Sequence, residues 1–253
     1  MKEKVSFRDS LGNKVVGILS NPSDTLDRPV MLLCHGLASN KESQTYVGLE
    51  HALNILGIAT FKIDLYAHGE SEGKFEDLTI SKAVGSVLAA IKLLKSKGYQ
   101  RIGLVGMSFG GMCSIMAASR SKELFLLVLQ SPVSDFVEFF SAKIGAKGII
   151  KWKEDGSIPY QAYDGRVLKL SYSFFEDSER NIGYGAAKKI LIPTLIVHGD
   201  KDMVVPIEQS VKTSKIIKNC EFETIKGGDH YFRDSKLFAE RLRIVVGFIQ
   251  SHL

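Results

Sequence analysis

Three stretches of this sequence set reactive side chains among glycines: Gly106-Met107-Ser108-Phe109-Gly110-Gly111, His198-Gly199-Asp200-Lys201-Asp202 and Gly227-Gly228-Asp229-His230. A serine hydroxyl is a poor nucleophile near neutral pH and needs a base to take its proton. A carboxylate behind that base fixes the imidazole tautomer and stabilises the imidazolium. The pattern around Ser108 is G-x-S-x-G, which by composition alone recurs in roughly one chain in ten of this size. Its surroundings strengthen it. The apolar run ending at Val105 predicts a strand and Phe109 to Ser119 a helix, which puts the serine on the bend between them. Flanking glycines let strand and helix approach there without Cβ clashes.

Six histidines compete to be the base. His252 stands at the chain end and His51 within a helical stretch, so both read as surface residues. His35 and His68 each precede a glycine in a loop after a strand, and His198 ends the strand Leu195-Ile196-Val197. His230 sits in a glycine-rich loop before the last helix and, with His252 set aside, alone follows the serine and both acids, as the order serine, acid, histidine requires. Asp200 and Asp202 both follow one strand, at the edge where open parallel sheets bind ligands. Asp200 comes directly after the turn glycine and suits a backbone-capping role, so Asp202 is the expected acid. A tetrahedral intermediate also needs preorganised N–H donors, each worth ~2.7–4 kcal/mol. The expected pair is the main-chain N–H of Phe109 and that of Leu37, in the loop Cys34-His35-Gly36-Leu37-Ala38.

The elements that must hold these groups alternate. Strands are expected at Lys14 to Ser20, Val30 to Cys34, Ile58 to Ile63, Arg101 to Val105, Leu124 to Leu129 and Leu191 to Val197. Helices are expected at Gln44 to Leu56, Leu78 to Lys97, Phe109 to Ser119 and Phe238 to Ile249. That cadence implies right-handed crossovers and a mostly parallel sheet, in one domain over residues 1–253. Residues 132–189 break the cadence and carry Phe136, Phe139, Phe140, Trp152, Tyr160, Tyr163, Tyr172, Phe174 and Phe175. So long a stretch without core-like periodicity reads as a cap laid over the sheet. Its aromatics either line an acyl or aryl pocket or pack the cap to the core. Lys143, Lys147 and Lys151 recur every four residues opposite Phe136, Phe140 and Ile144. If helical, this is an amphipathic lid with a basic face, weakened by Gly145 and Gly148.

Composition excludes other classes. The net charge is +5, but the lysines are scattered among acids and no RNA-binding or zinc-finger spacing occurs, so nucleic acid is not an expected partner. There is no P-loop or G-x-G-x-x-G, no apolar signal core at the start and no apolar run of membrane-spanning length, so no stable membrane insertion is expected. The three separated cysteines point to a reducing compartment, the cytoplasm by default. No cofactor and no metal are expected; the partner is a small-molecule ester substrate, with a homodimer left open.

Strand-HGL, Asp64-Leu65-Tyr66-Ala67-His68-Gly69-Glu70-Ser71, GMSFGG, HGDKDMVVP and GGDHYF together resemble the α/β-hydrolase superfamily. The likeness is greatest to its small serine esterases, of the feruloyl (cinnamoyl) esterase and monoacylglycerol lipase-like type, and covers the chain outside the cap. The resemblance implies an α/β-hydrolase fold with a small cap insertion. It implies Ser108 as nucleophile, Asp202 as acid and His230 as base, an oxyanion hole at Leu37 and Phe109, and Asp64 and His68 as organisers of a loop. The expected reaction is carboxylic ester hydrolysis through an acyl-enzyme. Peptidase or thioesterase activity on the same triad is the nearest alternative. A ligand receptor that keeps a hydrolase pocket with negligible turnover is the alternative of another class.

Overall fold

Val30-Met31-Leu32-Leu33-Cys34 is apolar throughout because both faces of its strand are covered. The computed structural model describes residues 1–23, 28–162 and 164–253; Tyr163, among the cap aromatics above, lies outside the described residues. In chain order the elements are β1 (Lys2–Arg8), β2 (Lys14–Ser20), β3 (Val30–Cys34), α1 (Gln44–Ile55), β4 (Ala59–Asp64), α2 (Ile80–Ser96), β5 (Ile102–Met107), α3 (Phe109–Ala118) and β6 (Leu124–Gln130). There follow α4 (Phe136–Asp155), β7 (Ser157–Gln161), β8 (Val167–Ser171), α5 (Tyr172–Ser178), α6 (Gly183–Ala187), β9 (Thr194–Gly199), α7 (Ile207–Ile216), β10 (Cys220–Ile225) and α8 (Ser235–Ser251).

Among the described residues, eight strands form one sheet in the order β1-β2-β4-β3-β5-β6-β9-β10. In it β1 on β2 and β2 on β4 pair antiparallel, and the other five pairings are parallel. Period-two alternation then sorts the core onto two faces. Leu32, Cys34, Ile102 and Leu104 face α2 and α3. Met31, Leu33, Val105 and Met107 face α1 and α8, against Leu49, Leu53, Val245 and Ile249. Burying each such side chain is worth about 1.5–3 kcal/mol. This is the mostly parallel, helix-flanked α/β-hydrolase architecture.

Between β6 and β9 the chain leaves the sheet. The β7–β8 hairpin forms a separate two-stranded sheet, joined to α4 by Trp152, whose indole N–H donates to Leu170 O at 3.0 Å. Asp177 on α5 accepts from the Ser81 N–H and hydroxyl, at 2.8 and 2.7 Å, at the head of α2. The path of α4 breaks at Gly145 (φ 65°, ψ 175°), so Lys143 lies on one helical stretch and Lys147 and Lys151 on the next. The single basic helix face envisaged from the lysine spacing is therefore interrupted.

Candidate active site

Ser108 joins β5 to α3 with φ 53° and ψ −116°, a backbone that L-residues avoid. The bend is pinned from three sides. Ser108 N–H donates to Gln130 O at 3.0 Å, while Ser108 O accepts from Met112 and Val133 N–H at 3.2 and 3.1 Å. The loop that carries Leu37 lies alongside: a Cβ on Gly36 would stand 3.5 Å from Ser108 Cβ and 3.9 Å from its Oγ. Among the described residues, neither Leu37 N–H nor Phe109 N–H has an acceptor. Both are thus free to donate to a ligand.

Asp202 and His230 arrive on the loops after β9 and β10, neighbouring strands at the same sheet edge. His230 Nδ1 stands 2.6 Å from Asp202 Oδ2. The other carboxylate oxygen, Oδ1, accepts the N–H groups of Val204 (2.8 Å) and Val205 (2.9 Å). Burial would push the Asp202 carboxyl up; hydrogen bonds from His198 and His230, the His230 charge and the Val205 N–H outweigh it and hold the group well below the usual carboxylate range. Asp200 takes the other role: its Oδ1 accepts Gly227 N–H at 2.6 Å and ties down the start of the histidine loop. Asp234 caps α8 by accepting from Lys236 and Leu237 N–H, which fixes the loop's far end. No hydrogen bond joins Ser108 Oγ to His230 among the described residues, so the structure pairs Asp202 with His230 directly and sets Ser108 at the same edge.

Two buried histidines shape the loop that carries Leu37. His68 Nε2 accepts Ala38 N–H at 3.0 Å, and its Nδ1 lies 2.9 Å from Tyr66 O. His35 Nε2 accepts Leu65 N–H at 3.1 Å, with Nδ1 2.8 Å from Gly36 O. Each ring therefore carries its hydrogen on Nδ1 and offers a lone pair to the main chain at Nε2. Asp64 stands behind them, accepting from the Lys41 ammonium at 2.6 Å and from Lys41 and Glu70 N–H at 2.8 and 2.9 Å. Desolvation, then the proximity of His35, lowers the His68 pKa to about 3. An unfolded His68 takes its proton near pH 6.5, so the unfolded state binds more protons between those values. Stability is complete above about pH 6.5 and falls as pH drops toward 3. Between pH 7 and 4.5 this residue should cost about 2–3 kcal/mol of unfolding free energy. Denaturant titrations of wild type and His68→Gln at both pH values check this: the variant should lack that share of the loss, and an identical pH dependence contradicts it.

The cap meets the site at two places. Phe109 packs on Phe136 and Phe174, with ring centroids 5.9 Å apart in each case. The wider cluster of Phe139, Phe140, Trp152 and Phe175 is buried with them. Most cap aromatics thus pack the insertion onto the core. Tyr160, like Tyr172, is only half-buried; it lies 5.9 Å from Phe75 by ring centroid, and Phe75 in turn stands 5.6 Å from His68. On the same hairpin, Arg166 Nη2 stands 3.5 Å from Ala38 O in the loop that carries Leu37.

Sequence reasoning passed over two buried groups here. His198 Nε2 also reaches Asp202 Oδ2, at 3.1 Å; its four-residue spacing from Asp202 was the available signal. Arg241 on α8 is fully buried and lies over Phe232 of the histidine loop, 4.6 Å from the ring centroid. Its Nη2 donates to Thr45 Oγ1 at 3.0 Å, and a lone arginine in a helical run gives no sign of such burial.

Comparison with known proteins agrees with this architecture. The chain is 24% identical over 211 residues to the mitochondrial palmitoyl-protein thioesterase ABHD10 of Mus musculus, spanning 81% of this chain and 70% of that protein. It is similar to the solved structure of Est1E from Butyrivibrio proteoclasticus with ferulic acid bound: 28% identity, 98% of each chain and a TM-score of 0.82. Mouse alpha/beta hydrolase domain-containing protein 10 superposes with a TM-score of 0.84 over 98% of this chain and 99% of that one, at 19% identity, a likeness of fold. No helix among the described residues is long and apolar enough to cross a membrane. The model of the prolyl oligopeptidase family matches residues 57–253, from the end of α1 through the last helix, and the chain belongs to that family of α/β-hydrolases.

Proposed function

We propose that this protein is a serine esterase that cleaves carboxylic esters through an acyl-enzyme. The observation that carries the reading is the 2.6 Å Asp202–His230 bond, formed at the sheet edge where Ser108 sits on its bend. Ser108 Oγ attacks the ester carbonyl carbon and its proton passes to His230 Nε2. The oxyanion takes the Leu37 and Phe109 N–H groups. Collapse breaks the C–O bond, and His230 returns the proton to the departing alcohol. Water then repeats the cycle on the acyl-serine and restores the hydroxyl. Residues 132–189 act as the lid.

Aryl acyl groups suit the site best. The ring series His68, Phe75 and Tyr160 runs beside the oxyanion loop, and the 28% identity to Est1E, solved with ferulic acid, favours the same class. Thioester hydrolysis is the second reading, favoured by the thioesterase relatives. A reducing compartment stays part of the proposal; those relatives are named as mitochondrial.

A fluorophosphonate probe combined with a substrate panel tests both. Stoichiometric labelling at Ser108 is expected, with kcat/KM for hydroxycinnamoyl esters at least about tenfold above that for palmitoyl thioesters. Faster thioester turnover would select the second reading. Labelling without turnover of either class would point to a receptor that keeps the pocket.

A further inference from the structure

The carboxylate of Asp202 serves two imidazoles, and the proposed triad uses one. His198, near the end of β9, is fully buried. Its Nε2 stands 3.1 Å from Asp202 Oδ2 and 3.1 Å from Val205 O, and its Nδ1 stands 2.7 Å from Ser210 Oγ on α7. Nε2 faces acceptors only, so it carries a hydrogen, and Nδ1 is left to accept the Ser210 hydroxyl hydrogen. With Oδ1 occupied by Val204 and Val205 N–H, Oδ2 is the oxygen that both rings share. The nearer is His230, at 2.6 Å.

We propose that His198 is a positioning residue: by donating Nε2–H to Asp202 Oδ2 it fixes the carboxylate plane and moderates the hold of Asp202 on the His230 imidazolium. The inference rests on the triad reading above. Hydrogen bonds to an ionised acceptor are roughly twice as strong as neutral ones. A second donor on the same oxygen therefore disperses charge that would otherwise act on His230 alone. The ring is also well placed to set an angle. β9 lies between β6 and β10, and Ser210 fixes the far side of the imidazole. A carboxylate on a free turn would have no such reference.

The other charged or titratable groups near the trio are Asp200 and Lys201 on the same turn, Glu208 at the head of α7, Asp229, Tyr231 and Arg233 beside His230, and Arg241 from α8. From the end of β6 and the residue after it come the neutral Gln130 and Ser131. All stay unchanged in the variants below, so a shift reports on His198.

Two polar replacements separate the donor from the packing. His198→Gln puts an amide N–H where Nε2 was and keeps the Asp202 contact. His198→Asn puts its amide where Nδ1 was, keeps Ser210 and does not reach Asp202. The acidic limb of the kcat/KM profile should move up by about half a pH unit or more in His198→Asn and stay within about 0.2 unit of wild type in His198→Gln. A merely structural His198 would lower stability in both and leave the limb in place. The same variants in a Ser108→Ala background, read by NMR from the His230 ring C–H resonances, give the titration midpoint without turnover. An unmoved or lowered midpoint in His198→Asn overturns the proposal, as does an equal upward shift in His198→Gln. Full ester hydrolysis by Ser108→Ala alone would instead overturn the triad reading, with the NMR midpoints standing apart from it.

Discussion

Replacing Ser108 by alanine should lower kcat/KM on aryl esters by at least about 10⁴-fold, and the fold should persist. The expectation follows from what each part of the bend does. In the proposed mechanism the hydroxyl is the nucleophile, while the bend itself is held by main-chain bonds to Gln130, Met112 and Val133 that an alanine keeps. Ser108→Gly should be equally inactive but more stable. A backbone at φ 53°, ψ −116° costs an L-residue on the order of 1–3 kcal/mol. Glycine escapes that cost and loses part of the gain to its looser unfolded chain, for a net gain of about 1 kcal/mol. Denaturant midpoints on wild type and both variants, beside initial rates, measure the two effects separately. Retained turnover in Ser108→Ala would remove Ser108 from the chemistry. A less stable Ser108→Gly would show that the bend stores no strain.

Where apolar residues did the packing, the fold could be read from the sequence. β3, β5 and α2 are buried through apolar side chains, and their expected and observed spans agree within two residues. The expectations missed where other forces decide. β1 buries only Val5 and is a paired edge strand with a mostly exposed pattern. β10 exposes Glu221 and Glu223 at the opposite edge. α7 buries Gln209, Ser210 and Thr213, so a polar surface packs inward and periodicity has nothing to detect. Pro193 delays β9, which begins at Thr194. The final helix starts at Ser235 because Asp234 caps it, three residues ahead of the apolar repeat.

The candidate site divides along the same line. Residue types and chain order singled out Ser108, Asp202 and His230, and the choice between Asp200 and Asp202 followed from which acid sits against the turn glycine. The second imidazole on Asp202 could not be read that way. His198 is a strand residue by pattern, and its approach to Asp202 depends on how the turn after β9 folds back. The cap was the least legible segment. Its aromatics satisfy a pocket pattern and a packing pattern equally, and only burial separates Phe136, Phe140, Trp152 and Phe174, which are enclosed, from Tyr160, which keeps part of its surface open.

The glycine after Phe109 should prove as necessary as the serine, for a steric reason. A Cβ on Gly110 would overlap the Cys34 carbonyl oxygen and lie 2.5 Å from that of His35. Both are main-chain atoms at the start of the proposed oxyanion loop, so no side-chain rotation relieves the clash. Either α3 or the loop must retreat, which draws the Phe109 and Leu37 N–H groups apart. Gly110→Ala should therefore destabilise the fold by about 2–3 kcal/mol and lower kcat by about 100-fold, the usual consequence of displacing catalytic groups by about 1 Å. The matched control is Gly247→Ala in α8, where no atom lies within 4 Å of the added methyl. There, with nothing but the helix's own backbone beside the methyl among the described residues, the same substitution should stabilise by about 0.8–1 kcal/mol through helix propensity. If Gly110→Ala matched Gly247→Ala in stability and kept wild-type kcat, the close approach of α3 to β3 would not be what holds the proposed oxyanion loop against Ser108.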